Sequence, residues 1–166
     1  MKRLNILVLV VLAALGACSK QDKQKMYFNK GKQSLTEDKY ADAIRYFTES
    51  IKLDSQLVDA WNNRGVAFHH YLDHKRALSD FRKAIDIDPE FAPAYYNRSN
   101  TYFYLGKYQE ALQDLNVLAG LHADSAYVYS TRSTVFIQLN KFGHALEDAE
   151  KAISLDKDYK DAYVNR

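Results

Sequence analysis

An interval of 34 residues recurs along most of this 166-residue chain. Alanine, an aromatic residue and a small residue each return at this interval at least four times. The three series are Ala43, Ala77, Ala111 and Ala145; Tyr27, Trp61, Tyr95, Tyr129 and Tyr163; and Gly31, Gly65, Ser99 and Ser133. A period of this length is typical of one supersecondary unit stacked on copies of itself, because a single unit cannot bury its apolar face alone. The full units are residues 24–57, 58–91, 92–125 and 126–159, and residues 160–166 begin a partial fifth.

Each unit contains two apolar patterns at helical spacing, separated by a short break. The break is Gly106-Lys107 in unit three and Asn140-Lys141 in unit four, and Gly and Asn both tolerate the left-handed conformation that ends many helices. Pro89 ends the second helix of unit two, and Pro93 suits the first turn of the following helix. We therefore predict an all-α fold, a right-handed α-solenoid of antiparallel helix pairs.

The pattern resembles the tetratricopeptide repeat (TPR), which has aromatic residues at positions 4, 11 and 17, a small residue at position 8 and alanine at position 20. Unit three carries the best match, formed by Tyr95, Ser99, Tyr102, Gly106, Tyr108, Ala111 and Leu115. Unit one departs at Ser34 and unit four at Ala149. The resemblance implies four helix-turn-helix TPR units plus a partial fifth, which together act as a non-enzymatic scaffold for protein partners.

The resemblance also implies that the first helices line a concave groove for an extended peptide. The family positions give these candidate groove residues: Phe28, Asn29, Lys32, Asn62, Asn63, Val66, His70, Tyr96, Asn97, Asn100, Phe103, Tyr104, Thr131 and Thr134. Asparagine recurs at position 6 of the units, and its amide carries the donors and acceptors that pair with a peptide backbone. Packing of neighbouring helices is the alternative role for these amides.

One ligand class of the family is not expected here. Members that bind the acidic tail of a chaperone use a carboxylate clamp of two lysines, two asparagines and an arginine. In the register that starts at unit one, the corresponding residues are Phe28, Lys32, Asn63, Pro93 and Asn97. Only Asn63 matches its clamp position, so this chain lacks the clamp.

Arginine recurs at position 7 of the later units, where an apolar residue is usual in the family. The series is Arg64, Arg98, Arg132 and Arg166, and aspartates recur in the second helices at Asp80, Asp114 and Asp148. We expect structural ion pairs between the two series. A basic ladder for an acidic partner is the alternative interpretation.

The first residues predict export and lipid attachment. Lys2 and Arg3 precede an apolar run over residues 4–15, which is shorter than the ~20 residues that a membrane span needs. The sequence Leu15-Gly16-Ala17-Cys18 resembles the lipobox of bacterial lipoproteins. This resemblance implies a signal peptide at residues 1–17, lipidation of Cys18 and a flexible lipidated tether at residues 18–25. A secretory signal followed by a chance cysteine is the alternative.

The lipoprotein resemblance further implies a place in the bacterial cell envelope. Ser19 follows the cysteine, where aspartate would favour the inner membrane, so we expect an outer-membrane protein that faces the periplasm. Similar lipoproteins act in membrane-protein assembly, pilus assembly or cell-wall synthesis, and the residues do not select among these processes.

Sequence motifs for catalysis are missing. His69, His70 and His74 form the only histidine cluster, but a turn near Leu72 separates them and no third strong metal ligand is evident. We therefore predict no metal site, no cofactor and no enzymatic activity. A metal-dependent enzyme is the alternative, and it would need a third histidine or acid beside His70 and His74. Without residues 1–17 the chain has 21 basic and 21 acidic residues, a balance that does not indicate nucleic-acid binding.

A structural subunit is the competing interpretation. The fifth unit stops at residue 166 without a polar capping helix, which also fits a truncated member of a longer array. In that case Ala149, Ile153 and Leu155 of unit four are expected to meet another chain, giving a homo- or hetero-oligomer through the C-terminal end.

Overall fold

The computed structural model describes residues 20–166, and the predictions for the signal peptide and Cys18 lie outside this range. Helix α1 covers residues 20–36. The helices that follow are α2 (Tyr40–Leu53), α3 (Val58–His70), α4 (His74–Ile87), α5 (Ala92–Tyr104), α6 (Tyr108–Leu121), α7 (Ala126–Gln138), α8 (Phe142–Leu155) and α9 (Lys160–Asn165). Consecutive helices pair as the two halves of units one to four, and α9 begins the fifth. The predicted all-α solenoid is confirmed.

Helix α1 extends into the residues that we predicted to form a tether. Residues 20–25 are helical. Within them Gln24 is buried, and its Nε2 donates a hydrogen bond to Ser50 Oγ of α2 at 3.0 Å. The prediction of a flexible tether is therefore wrong for residues 20–25, because this segment packs on the first unit as part of its first helix.

Each turn inside a unit contains one residue in the left-handed region. The φ angle is 56° at Asp38, 63° at Leu72, 71° at Gly106 and 56° at Asn140. The following N–H bonds back across the last turn of the first helix, as in Lys107 N to Tyr102 O at 2.8 Å, which satisfies a terminal carbonyl. The pattern predicts this at Gly106 and Asn140, and the same turn occurs with Asp38 and Leu72 in units one and two.

The two helices of units one and two approach closely at a glycine. A Cβ added to Gly65 would lie 2.6 Å from the ring of Phe81, and one added to Gly31 would lie 2.7 Å from the ring of Phe47. Both phenylalanines are fully buried. At the same two positions, 8 and 24, unit three has Ser99 and Leu115, and unit four has Ser133 and Ala149. A larger residue at position 8 therefore coincides with a smaller one at position 24, which indicates matched sizes at these positions.

The arginine series forms structural ion pairs, as predicted. Arg64, Arg98 and Arg132 each donate two hydrogen bonds to the aspartate that lies 16 residues later, at distances between 2.6 and 2.9 Å. In unit one, Lys30 takes the place of the arginine and Tyr46 takes the place of the aspartate. Lys30 Nζ lies 5.7 Å from the centroid of the Tyr46 ring. A cation–π contact therefore occupies the position of the ion pair.

The C-terminal end differs from the prediction. Three residues were expected to meet another chain. Ala149 is fully buried and Ile153 is partly buried, whereas Leu155 is 36% exposed. The expectation is wrong for Ala149 because it occupies the buried position 24 of its unit. The exposed apolar residues of α8 lie on a different stripe, at Phe142 and Leu146.

Candidate functional site

The first helices of successive units form one continuous face of the solenoid. Helix α3 contacts α5, and α7 contacts α9, in addition to the contacts that each makes with its own second helix. We call the surface formed by α1, α3, α5, α7 and α9 the groove face. Most of the candidate groove residues lie on this face, and the cavities along it show which of them come together.

One cavity of the groove face lies between α5, α7 and α9, and we call it the α9 pocket. Its volume is about 390 Å³. Five candidate residues line it, namely Tyr96, Asn100, Phe103, Thr131 and Thr134. The residues that sequence reasoning did not place there are Ser99, Leu115, Tyr127, Ser130, Val135, Tyr159, Asp161, Val164 and Asn165. The short α9 completes the pocket. Because the candidate residues were taken from the four complete units, they include no residue of α9.

The α9 pocket combines aromatic walls with one uncommitted amide. Thr131 Oγ1 donates to Tyr127 O at 2.8 Å, and Thr134 Oγ1 donates to Ser130 O at 3.2 Å, so both hydroxyl protons are used within α7. The side chain of Asn100, by contrast, makes no hydrogen bond to any residue in the described range. Its donors and acceptor are therefore free to bind a ligand. Among residues 20–166, Asp161 is the only charged residue that lines this pocket.

The recurring asparagines connect neighbouring units. Asn97 Nδ2 donates to Asn62 Oδ1 at 2.9 Å, and Asn165 Nδ2 donates to Ser130 O and to Thr134 Oγ1, each at 3.0 Å. The Asn97–Asn62 and Asn165–Ser130 bonds join position 6 of one unit to position 5 of the unit before it, and the Asn165–Thr134 bond joins position 6 to position 9. The side-chain amides of Asn97 and Asn165 therefore pack neighbouring helices together, which was the alternative role for these residues.

Two other candidate asparagines differ in their exposure. Asn62 is only 6% exposed, so its amide serves the packing of α3 on α5 rather than the direct ligand contact that the sequence suggested. Asn63 is partly exposed, and its Oδ1 accepts a long hydrogen bond of 3.4 Å from Asn62 Nδ2.

A smaller cavity of about 170 Å³ continues along the groove face toward unit two. It brings together four candidate residues, which are Val66, His70, Asn97 and Asn100. His69 and Phe81 complete its lining. Because Asn100 lines both cavities, it marks the point where they meet.

The histidine cluster links three consecutive units. The ring of His70 stacks on Tyr40 of unit one with centroids 4.9 Å apart. His69 Nδ1 lies 3.0 Å from Thr101 Oγ1 of unit three, and the single Thr101 hydroxyl proton is donated to Asn97 O. His69 Nδ1 is therefore the donor in the first bond, which leaves Nε2 as the acceptor of the neutral ring.

The same cluster disfavours protonation. Burial lowers the pKa of His69 from 6.5, and the neighbouring His74 and His70 lower it further. The ring of His74 lies 5.2 Å from that of His69 and 4.9 Å from that of Tyr104. His74 Nδ1 is buried and has no hydrogen-bond partner among the described residues. The environment of His69 thus favours its neutral form.

The remaining candidate residues line neither of these two groove-face cavities. Phe28 packs against Phe47 with centroids 5.8 Å apart, Lys32 Nζ lies 5.9 Å from the Phe28 ring, and Asn29 is exposed. Tyr104 is 63% exposed and contacts the histidine cluster. The candidate site is therefore concentrated in units two to four.

Within residues 20–166 no group of three histidine, cysteine, aspartate or glutamate side chains is arranged to hold a metal ion. No helix in the same range is both long enough and apolar enough to cross a membrane.

Comparison with protein families gives one description for nearly all of the repeated region. Three family models, each described as tetratricopeptide repeat, match this chain. The matched residues are 58–91 for the first model, 81–113 for the second, and 24–57 together with 126–159 for the third. None of the curated proteins compared with the sequence matches it.

Solved structures with the same fold are numerous. MamA from Desulfovibrio magneticus RS-1 is 23% identical, with a TM-score of 0.75 over 82% of this chain and 77% of its own. PilF from Pseudomonas aeruginosa is 21% identical, with a TM-score of 0.78 over 89% of this chain and 67% of its own. The first TPR of Spaghetti (RPAP3), bound to the HSP90 peptide SRMEEVD, is 26% identical, with a TM-score of 0.62 over 67% of this chain and 88% of its own.

Proposed function

The chain belongs to the tetratricopeptide repeat family, and on that premise we propose that it is a non-enzymatic adaptor that binds an extended segment of a protein partner on its groove face. The observation that carries the proposal is the α9 pocket, which the uncommitted amide of Asn100 lines together with the aromatic side chains of Tyr96 and Phe103. Aromatic walls supply apolar contact area, and an amide pairs with a peptide backbone.

The residues that line the pocket limit the kinds of ligand that it can bind. The TPR of Spaghetti binds an acidic peptide, and its structural similarity supports a peptide as the class of ligand. No lysine or arginine lines the α9 pocket, however, and Asp161 contributes a negative charge. A carboxylate placed there would have no cationic partner and would face like charge. We therefore propose a ligand segment that is apolar or basic where it enters the pocket.

We also propose that the protein is anchored to a bacterial membrane, with the outer membrane facing the periplasm as its location. The support is the basic start at Lys2 and Arg3, the short apolar run over residues 4–15, and a single cysteine at the position that a lipobox requires. Several acyl chains, at ~0.8 kcal/mol per buried methylene, hold such a protein on the membrane stably.

Metabolic labelling with an alkyne analogue of palmitate tests the anchor. We expect label on the wild-type chain and none on Cys18→Ala. Label that persists in the variant, or its absence from the wild type, would remove the lipoprotein proposal. Membrane fractionation separates the two membranes: recovery with inner-membrane markers would contradict the proposed location.

Crosslinking in cell envelopes tests the groove. Asn100→Arg places a long cationic side chain where the two cavities meet, so it should block both of them. The matched control is Gln113→Arg, an exposed position on α6 that lies outside both cavities. We expect quantitative mass spectrometry to find at least one partner depleted ~10-fold, or ~1.4 kcal/mol, by the first variant and retained by the second.

Equal recovery of every partner with both variants would contradict the groove proposal. Thermal unfolding of both purified variants controls for misfolding, because the result counts only if their transitions match that of the wild type. This pair of variants is preferable to substitutions at Asn97, whose amide also holds α3 and α5 together.

The C-terminal end offers a second candidate surface. Phe142 and Leu146 lie one helical turn apart on α8 and are 62% and 42% exposed, and Val164 of α9 is 84% exposed. A structural subunit would use such residues to meet another chain. Sedimentation equilibrium of wild type and Leu146→Glu tests this: concentration-dependent association that the variant abolishes supports an oligomer, and a monomer at all concentrations contradicts it.

A further inference from the structure

The net charge of the first helix is opposite in sign to that of the residues that follow it. Residues 20–36 of α1 contain five lysines and one aspartate, a formal charge of +4. Residues 37–166 contain 16 basic and 20 acidic residues, a formal charge of −4. The balanced total therefore conceals a basic first helix on an acidic body.

The lysines of α1 lie on both borders of its exposed surface. All five are exposed, at residues 20, 23, 25, 30 and 32. Lys23 and Lys30 are seven residues apart and so share one side of the helix, as do Lys25 and Lys32. Lys30 Nζ lies over the ring of Tyr46 on α2, whereas Lys32 Nζ lies over the ring of Phe28 on α1. The two pairs thus flank an outer stripe that includes Met26 and Asn29, both of them exposed.

The position of α1 in the chain leaves almost no slack before it. Residue 20 is already helical, and the Gln24–Ser50 hydrogen bond fixes this part of α1 to α2. Only Ser19 lies between Cys18 and Lys20 in the sequence, and an extended chain covers at most ~3.5 Å per residue. Lys20 is therefore held within about 7 Å of the Cys18 backbone.

From these observations we propose that α1 is a membrane-surface helix, whose lysines bind the anionic headgroups of the phospholipid leaflet beside the lipid anchor. The inference rests on the anchoring part of the proposed function and deepens it. The partner is a lipid surface because the anchor itself delivers α1 to that surface, and because the charge of α1 is opposite to that of acidic headgroups. Each lysine near such a surface adds to this attraction.

The consequence is a defined orientation. The units stack away from α1 in chain order, so a membrane at α1 places α9 and its pocket at the far end of the stack. The acidic remainder of the protein is repelled by the same headgroups that attract α1. The groove is then presented to the aqueous phase without a flexible linker.

Lysine footprinting on vesicles tests the proposal. The full chain, purified from membranes in detergent, is reconstituted on vesicles of phosphatidylcholine alone or with one-third phosphatidylglycerol, and exposed lysines are acetylated and quantified by mass spectrometry. We expect the α1 lysines to react several-fold more slowly on the anionic vesicles. Their reactivity should return in 1 M salt, where the screening length falls to about 3 Å. Lys107 and Lys141, exposed in the turns of units three and four, are the internal controls.

A charge variant sharpens the test. Lys25→Gln/Lys32→Gln removes one flank and should reduce the protection of Lys23 and Lys30, whereas Lys107→Gln/Lys141→Gln should not. Equal reactivity on the two vesicle types overturns the proposal, as does protection that persists in high salt. Protection found only in whole envelopes assigns α1 to a protein partner and equally overturns it. Palmitate label on Cys18 is scored separately, so loss of the anchor and loss of the surface contact are distinguishable.

Discussion

The carboxylate of Asp80 on α4 accepts two hydrogen bonds from the guanidinium of Arg64 on α3, from Nε at 2.7 Å and from Nη2 at 2.9 Å. Their side chains are 6% and 15% exposed. Burial raises the pKa of the Asp80 carboxyl, although Arg64 opposes the rise. The pair therefore joins the two helices of a unit at a cost in desolvation, and the same arrangement recurs in units three and four.

Removing one member of such a pair should be more costly than removing both. We expect Asp114→Ala to lower the free energy of unfolding by roughly 3 kcal/mol, because the guanidinium of Arg98 is left largely buried and unpaired. The double variant Arg98→Met/Asp114→Leu should recover much of that loss, since no charge is then buried. Urea denaturation followed by circular dichroism measures both.

The exposed pair Arg45–Asp42 provides the control. Its members are 61% and 49% exposed, although the 2.8 Å distance is as short as in the buried pairs. We expect Asp42→Ala to cost less than ~1 kcal/mol, because water screens the interaction. A loss as large as that of Asp114→Ala would contradict the assignment of the difference to burial.

The close approach of Gly65 to Phe81 predicts that the effect of Gly65→Ala on stability depends on which side chain occupies position 81. Gly65→Ala places a Cβ 2.6 Å from a ring that is fully buried, so we expect a loss of roughly 1–3 kcal/mol. After Phe81→Leu, which copies the side chain of unit three, the same Gly65→Ala change should be neutral or stabilising. Chemical denaturation of the four proteins of this cycle gives the coupling energy.

Gly120→Ala is the matched control for Gly65→Ala. Nothing lies within 4 Å of a Cβ at this helical position. We expect a gain of up to ~1 kcal/mol from helix propensity alone. If Gly65→Ala behaves in the same way in the wild-type background, then Phe81 moves freely and the size-matching explanation is wrong.

The repeat period predicted those features that each unit builds from its own residues. Helix pairing, the Gly106 and Asn140 turns and the Arg–Asp pairs all join residues of the same unit. Identical positions meet nearly identical surroundings in every unit, so the pattern is informative there. Leu72 shows the limit of propensity: leucine rarely adopts positive φ, but the hydrogen bonds that close the turn require it at this position.

Features that join different units were not predictable from the period. The Asn97–Asn62 and Asn165–Ser130 hydrogen bonds depend on how far one unit is rotated against the next, and no residue pattern encodes that geometry. The α9 pocket likewise depends on three residues of the partial unit, which are Asp161, Val164 and Asn165. Helix α1 was misjudged over residues 20–25 because the segment is polar, although the burial of Gln24 holds it in place.

The histidine cluster predicts a stability that declines in mild acid. The pKa of His69 is lowered in the folded state, so below the unfolded value of about 6.5 the unfolded chain binds more protons. The contribution of His69 to the free energy of unfolding should therefore be greatest above that pH, and it should be lost as the pH decreases through the pKa of the folded state. Urea denaturation between pH 8 and pH 5.5 measures the slope.

His69→Asn separates this histidine from other titrating groups. The variant offers an amide N–H donor near the position of Nδ1 but carries no titratable ring, so its slope over the same range should be shallower than that of the wild type. His122→Asn, at the exposed end of α6, should leave the slope unchanged. Identical slopes in all three proteins would show that the cluster does not resist protonation.

Asn97 should affect stability more than recognition. Asn97→Ala removes the donor to Asn62 Oδ1 and leaves that buried acceptor unpaired, so we expect a loss of about 1–3 kcal/mol in the free energy of unfolding. Asn100→Ala breaks no hydrogen bond within the described residues and should change stability by less than ~0.5 kcal/mol. Thermal unfolding compares the two, and equal losses would mean that Asn100 is also structural.

Asp161 should set the charge preference of the α9 pocket. It is the one charged residue that lines the pocket, so peptides selected from a random library should be enriched in lysine or arginine next to an apolar residue. Asp161→Lys should reverse this preference toward acidic peptides, while Asp156→Lys, exposed at the end of α8 and outside the pocket, should not. Fluorescence polarisation of the best basic peptide should give a Kd at least ~5-fold weaker for Asp161→Lys, about 1 kcal/mol. Selection of peptides that require a free C-terminal carboxylate in the wild-type pocket would contradict the assignment, because such a group would face Asp161 with no cation to oppose it.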